Sequence, residues 1–219
     1  MVPICLRAFL RFTTTYFWKD AIVRFLKKYA HFRRMNTGKG TEVNRIAIVG
    51  PECTGKTDLT RFLADHYHTN WVPEFARNYI DGLNRPYEKS DLVKIAQAQL
   101  LLEDQLASQA NKILFCDTNL VVIKIWSEFK YGDCPPEIIE KMIERKYDLH
   151  LLTYIDIPWV DDPQREHPDK RELLYDLYKN ELIENNVNFI EIKGLHDLRR
   201  KTAVSAVETL LNQANSRHT

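Results

Sequence analysis

Eight consecutive residues, Gly50-Pro51-Glu52-Cys53-Thr54-Gly55-Lys56-Thr57, follow the pattern G-x-x-x-x-G-K-[ST]. That spacing lets a short loop curl into a nest whose backbone N–H groups converge on a phosphate. Gly50 and Gly55 supply backbone freedom and close approach. Lys56 offers a point charge to the β- and γ-phosphates of ATP, and Thr57 offers a hydroxyl to Mg²⁺. A helix starting near Lys56 would aim its positive end at the same anion. Cys53 reads as a small spacer in this loop rather than a redox sensor.

Further residues complete a phosphoryl-transfer constellation. Asp117 closes the run Ile-Leu-Phe-Cys-Asp, where an acid would order Mg²⁺ directly or through water. The competing reading is a helix N-cap, since Thr118 and Asn119 lead into a helix. Glu74, in Val-Pro-Glu-Phe-Ala-Arg77, is placed to accept a proton or hydrogen bond from an attacking hydroxyl. Alternatively it is a surface acid paired with Arg77. The charged stretch from Pro158 to Arg171 is placed as a lid. Arg165 and Arg171 would meet charge building on the γ-phosphoryl group, and closure would exclude water. A solvated loop is the plainer meaning of such a run. Trp71, Tyr79, Trp126 and Trp159 are candidates to stack on a flat base; Trp159 is the best placed and Trp126 reads as core.

These residues need a scaffold, and the chain alternates strand and helix. Strands are expected at 45–49, 70–74, 112–117, 148–157 and 188–192. Helices are expected at about 56–67, 90–110 (capped by Ser90), 120–129, from 136, 171–185 and 195–211. This pattern specifies an α/β fold, a five-stranded mostly parallel sheet with helices on both faces. Ligands in such sheets bind beyond the carboxyl ends of the strands, where every motif above falls.

The 219 residues hold 31 basic and 30 acidic side chains. Residues 1–35 carry eight basic groups and one acid, a net of +7, which leaves −6 for the rest against the total of +1. An acidic body argues against a general nucleic-acid binder. Cys5, Cys53, Cys116 and Cys134 form no CxxC pair, which fits a reducing compartment, and a cytoplasmic location is expected. No apolar run is long enough to span a bilayer, so no stable membrane insertion is expected. The basic, aromatic segment before Met35 admits three readings: a surface helix, a targeting peptide, or a start assigned too far upstream. The expected organisation is an extension over 1–44, a phosphate-loop domain over 45–213 and a tail over 214–219.

Five motifs taken together carry a resemblance. They are Gly-Pro-Glu-Cys-Thr-Gly-Lys-Thr, Trp-Val-Pro-Glu-Phe-Ala-Arg, Ile-Leu-Phe-Cys-Asp-Thr-Asn-Leu, Ile-Trp-Ser-Glu and Tyr-Ile-Asp-Ile-Pro-Trp-Val-Asp-Asp-Pro-Gln-Arg. Residues 45–213 resemble the ribosylnicotinamide kinase domain of the NadR family. The resemblance implies a P-loop kinase fold. It also implies transfer of the γ-phosphoryl group of ATP to the ribose 5′-hydroxyl of nicotinamide riboside. By it, Glu74 and Asp117 would face ribose and metal, in either order. Trp159, Asp161 and Asp162 would border the substrate pocket, and Arg165 and Arg171 the lid. The H-x-G-H element of that family's adenylyltransferase domain does not occur, so adenylyltransfer is not expected. Other P-loop small-molecule kinases and a non-catalytic nucleotide sensor are the alternatives.

Overall fold

The computed structural model describes residues 43–216. The readings of the N-terminal segment before Val43 lie outside the described residues. The sheet has five strands: β1 (Asn44–Val49), β2 (Trp71–Val72), β3 (Ile113–Asp117), β4 (Leu149–Thr153) and β5 (Phe189–Ile192). Their spatial order is β2-β3-β1-β4-β5, and every pair is parallel. Seven α-helices connect and flank them among the described residues: α1 (Lys56–His66), α2 (Phe75–Asp81), α3 (Lys89–Ala107), α4 (Leu120–Tyr131), α5 (Pro136–Glu144), α6 (Arg171–Glu184) and α7 (His196–Ser216).

Alternation along the strands divides the core into two layers. Ile46 and Ile48 of β1, Ile113 and Phe115 of β3, and Leu149 and Leu151 of β4 pack with Leu59 and Leu63 of α1 and Ala203 and Val207 of α7. The opposite side chains, Leu114 and Cys116, meet α3 and α4, while Ala47, Val49 and Leu152 meet α4 and α6. Both faces are covered, so the strands read as continuous apolar runs. β1 lies between β3 and β4; the chain leaves β1 toward β2 on one side and leaves β3 toward β4 on the other, which opens a crevice past the end of β1.

Several boundaries differ from the sequence reading. β2 keeps only two residues, because Pro73 has no N–H for the ladder. The seven-residue α2 follows it, too short to show a period; its Phe75 amide donates to Gln99 Oε1 at 3.0 Å. α3 starts from Glu88, whose side chain and Asp91 form a reciprocal capping box, rather than from Ser90. β4 stops at Thr153 rather than at residue 157: its neighbour β5 ends at Ile192, and the Tyr154 carbonyl turns to the Arg199 guanidinium, 2.7 Å away. At the far end, α7 continues to Ser216, beyond the expected stop at 211. No helix among the described residues is long and apolar enough to cross a membrane.

Candidate active site

The phosphate loop leaves the buried end of β1 and enters α1 through Gly55. Gly50 has φ +137°, and a Cβ there would lie 2.6 Å from Thr153 Oγ1 and 2.7 Å from the Thr153 carbonyl oxygen. Gly55 has φ +75°, and its Cβ would strike Ile157 Cδ1 at 2.9 Å. A side chain at Gly50 would push the loop off the β4 backbone, and one at Gly55 would be strained by its left-handed φ. Lys56 Nζ donates to the carbonyls of Gly50 (3.0 Å) and Pro51 (2.8 Å), which holds the ammonium inside the loop. Burial lowers its pKa, and the charges of Glu74, Asp117 and Glu52 oppose that shift.

Asp117 and Glu74 stand at the ends of β3 and β2 on the same side of the sheet. Thr57 Oγ1 donates to Asp117 Oδ2 at 2.6 Å, and Asp117 Oδ1 is buried with no hydrogen-bond partner among the described residues. The helix cap is supplied instead by Asn119, whose Oδ1 accepts from the Val121 amide at 3.1 Å. Burial first, and then the Glu74 charge, push the Asp117 carboxyl up to about 7. An orphaned buried carboxylate oxygen beside a threonine hydroxyl suits a divalent cation, which would restore the ionised form. Among the described residues no cluster of three or more His, Cys, Asp or Glu could hold a metal. Glu74 is half-buried at the N-cap of α2, with no side-chain cap bond, and lines the cavity beside the loop.

The segment 157–171 lies against the phosphate loop. Glu52 Oε2 accepts from the amides of Glu166 (3.0 Å) and His167 (3.4 Å). Cys53 is more than a spacer: its sulfur accepts from the Val160 amide at 3.2 Å, and its S–H contacts the Pro158 carbonyl at 3.5 Å. The two arginines divide. Arg165 lines the cavity and donates to the Val160 carbonyl. Arg171 is outside the cavity wall and ties the base of the segment to the loop, through the carbonyls of Cys53 (3.0 Å) and Ile157 (2.9 Å).

The cavity has a volume of about 430 Å³ and runs from the phosphate loop to α4. Its far wall joins Tyr87, Trp126 and Phe129. The Tyr87 and Trp126 rings have centroids 4.8 Å apart, and Trp126 Nε1 donates to Tyr87 Oη at 2.8 Å. Trp126 therefore belongs to this wall, although an apolar helix face made it read as core. Trp159, Asp161 and Tyr79 do not reach the cavity. Trp159 Nε1 donates to Asp161 Oδ1 at 2.8 Å, and Tyr79 Oη donates to the buried Asp91 at 2.9 Å. Asp162 pairs with Arg77 at 2.7 Å and so fastens the segment 157–171 to α2. A larger cavity of about 1070 Å³ opens at the other end of the strands, beside Arg45 and Asp148. It holds neither the phosphate loop nor the acids that face it, so size does not mark the chemistry here.

Three of the cations that line this cavity are paired with acids. Arg77 pairs with Asp162 at 2.7 Å, Arg85 with the buried Asp91 at 2.7 Å, and Lys130 with Glu166 at 3.1 Å. Tyr87, Arg85 and Lys130 escape a sequence reading, and Arg77 pairs with Asp162 rather than with Glu74.

A family model described as an AAA domain matches residues 45–199. The trifunctional NAD biosynthesis/regulator protein NadR of Salmonella typhimurium is 28% identical over 180 residues, which is 78% of this chain and 43% of that protein. This chain thus spans less than half the length of that curated relative. A solved structure of NadR protein in complex with NR superposes with a TM-score of 0.64 at 21% identity, over 77% of this chain and 49% of the other. A Candida albicans thymidylate kinase structure superposes with a TM-score of 0.56 at 12% identity, over 81% and 94%. The resemblance carried by the motifs and the five-stranded parallel fold both stand.

Proposed function

We propose, for a chain that belongs to the AAA domain family through residues 45–199, an ATP- and Mg²⁺-dependent kinase that phosphorylates the ribose 5′-hydroxyl of nicotinamide riboside. One observation carries the reading: the phosphate loop, Glu74 and the Tyr87–Trp126 wall line the same cavity. ATP phosphates fit the loop, and a flat aromatic ring fits the wall. Because Arg77, Arg85 and Lys130 are each paired with an acid, while Glu74 forms no ion pair among the described residues, a cationic ring such as a pyridinium can be accommodated beside Glu74. Similarity to NadR, and to its structure with NR, supports the same acceptor.

In this reading the ribose hydroxyl attacks the γ-phosphorus in line. The O5′–P bond forms as the bond to the β-phosphate oxygen breaks, and its electron pair leaves with ADP. Glu74 accepts the hydroxyl proton. Lys56 and Arg165 meet the charge on the transferring group. Thr57 and Asp117 would hold Mg²⁺, which neutralises phosphate charge when bound. Glu52, Cys53 and Arg171 keep the lid seated, so that water does not replace the acceptor.

ADP formation from Mg·ATP should be measured with nicotinamide riboside, adenosine, thymidine or no acceptor. Stimulation by nicotinamide riboside alone is the expected result. Stimulation by adenosine or thymidine would assign a different acceptor. Tight ATP binding with no stimulation by any acceptor would make the protein a nucleotide sensor.

A further inference from the structure

The underside of the phosphate loop rests on one buried cation that no sequence motif marks. Arg199, on the first turn of α7, is 4% exposed. Its guanidinium donates to the carbonyls of Thr54 (2.7 Å) and Tyr154 (2.7 Å), its Nε donates to the Gly194 carbonyl (2.9 Å), and it forms an ion pair with Asp156. Three separate segments therefore converge on this side chain: the loop, the exit from β4 and the entry to α7.

The bond to Thr54 has a geometric consequence. In a trans peptide the C=O and the following N–H point in opposite directions. A guanidinium that holds the Thr54 carbonyl downward therefore turns the Gly55 N–H toward the mouth of the loop. The loop has a second anchor beneath it, since Thr54 Oγ1 donates to the Pro51 carbonyl at 2.8 Å and lies 2.7 Å from Thr153 Oγ1. That anchor fixes the side chain of Thr54, whereas only Arg199 holds its carbonyl among the described residues. Gly55 itself, at φ +75°, has the conformational freedom to let this peptide turn over. A planar fork with five donors can serve all four acceptors at once, and an ammonium cannot.

We infer that Arg199 is a positioning residue for nucleotide binding: it presets the Thr54–Gly55 peptide so that the Gly55 N–H faces the phosphates. It touches no substrate. The inference rests on the reading of the loop as a nucleotide-phosphate site, and it deepens that reading.

The test compares wild type, Arg199→Lys and Asp156→Asn. For each, a non-hydrolysable ATP analogue is titrated with Mg²⁺, and the KM values for ATP and nicotinamide riboside and the melting temperature are recorded. Loss of a charged buried hydrogen bond should weaken nucleotide binding in Arg199→Lys by about tenfold or more. The KM for the acceptor should stay unchanged. Asp156→Asn removes the ion pair but leaves the Thr54 bond, so it should melt lower and keep wild-type nucleotide affinity. Equal affinity in Arg199→Lys and wild type would overturn the inference. So would an equal loss in both variants, which would mean general loosening. A wild-type protein that binds no nucleotide would instead refute the reading of the loop itself.

Discussion

Thr57 and Asp117, 60 positions apart, meet at 2.6 Å through Oγ1 and Oδ2, and the second Asp117 oxygen is left buried and unpartnered among the described residues. Strand β3 brings Asp117 to this place by pairing with β1, where Ile48 lies opposite it. A threonine and an aspartate so arranged would supply two of the six oxygen ligands that Mg²⁺ takes. Asp117→Asn should raise the Mg²⁺ concentration for half-maximal activity by about tenfold and lower kcat by about a hundredfold or more. A Mg²⁺ titration at saturating ATP checks this. An unchanged titration curve would remove Asp117 from the metal site.

Trp126, which reads as core in the sequence, lines the cavity, and Trp159, the better stacking candidate there, does not. Trp126→Ala should raise the acceptor KM about tenfold or more, with the ATP KM within about twofold. Trp159→Ala should leave the acceptor KM near wild type, because that ring hydrogen-bonds Asp161 and is not in the cavity wall. Steady-state kinetics on both variants decides between them. The reverse pattern would put the acceptor against the lid.

Glu52 joins the loop to the lid through the amides of Glu166 and His167. Glu52→Ala should loosen that seat and admit water. The ratio of acceptor-independent ATP hydrolysis to acceptor phosphorylation should then rise by about threefold or more. Phosphate release measured with and without acceptor reads this ratio, and an unchanged ratio would mean the lid is held elsewhere.

His150 on β4 is buried; its Nε2 lies 3.1 Å from Asn119 Nδ2, and its Nδ1 has no partner among the described residues. Burial lowers its pKa from 6.5 to about 4. Below pH 6.5 the unfolded chain takes up a proton that the folded protein refuses. Stability from this group is thus complete above pH 6.5 and falls until the pH reaches about 4. The loss should be roughly 1 kcal/mol per pH unit in that window. Denaturant melts of wild type and His150→Gln between pH 7 and 4 should show the shallower fall in the variant, and parallel curves would contradict this.

How much of the site could be read from sequence depends on how local its parts are. The phosphate loop is eight contiguous residues whose spacing is fixed by the nest they form. Asp117 follows from a short apolar run, because the end of a buried strand in such a sheet opens on the ligand crevice. Trp126 was hidden, since a tryptophan on an apolar helix face looks the same whether it meets the core or a cavity. Its partner Tyr87 lies 39 residues away. Arg199 is further still from the Thr54 it holds, 145 residues, and sits in a helix without any motif. Helix α2 spans under two turns, so no period marks it. Asp162 went to Arg77 rather than to the pocket because pairing depends on the path of the lid, which no local pattern specifies.

The most direct measurement follows the phosphoryl group itself. Protein, Mg²⁺, γ-labelled ATP and nicotinamide riboside should yield labelled nicotinamide mononucleotide with the phosphate on the 5′-oxygen, identified by mass spectrometry and phosphorus NMR. A Lys56→Ala variant should yield none. Label appearing only as inorganic phosphate, or on a nucleoside in place of the riboside, would contradict the proposed reaction.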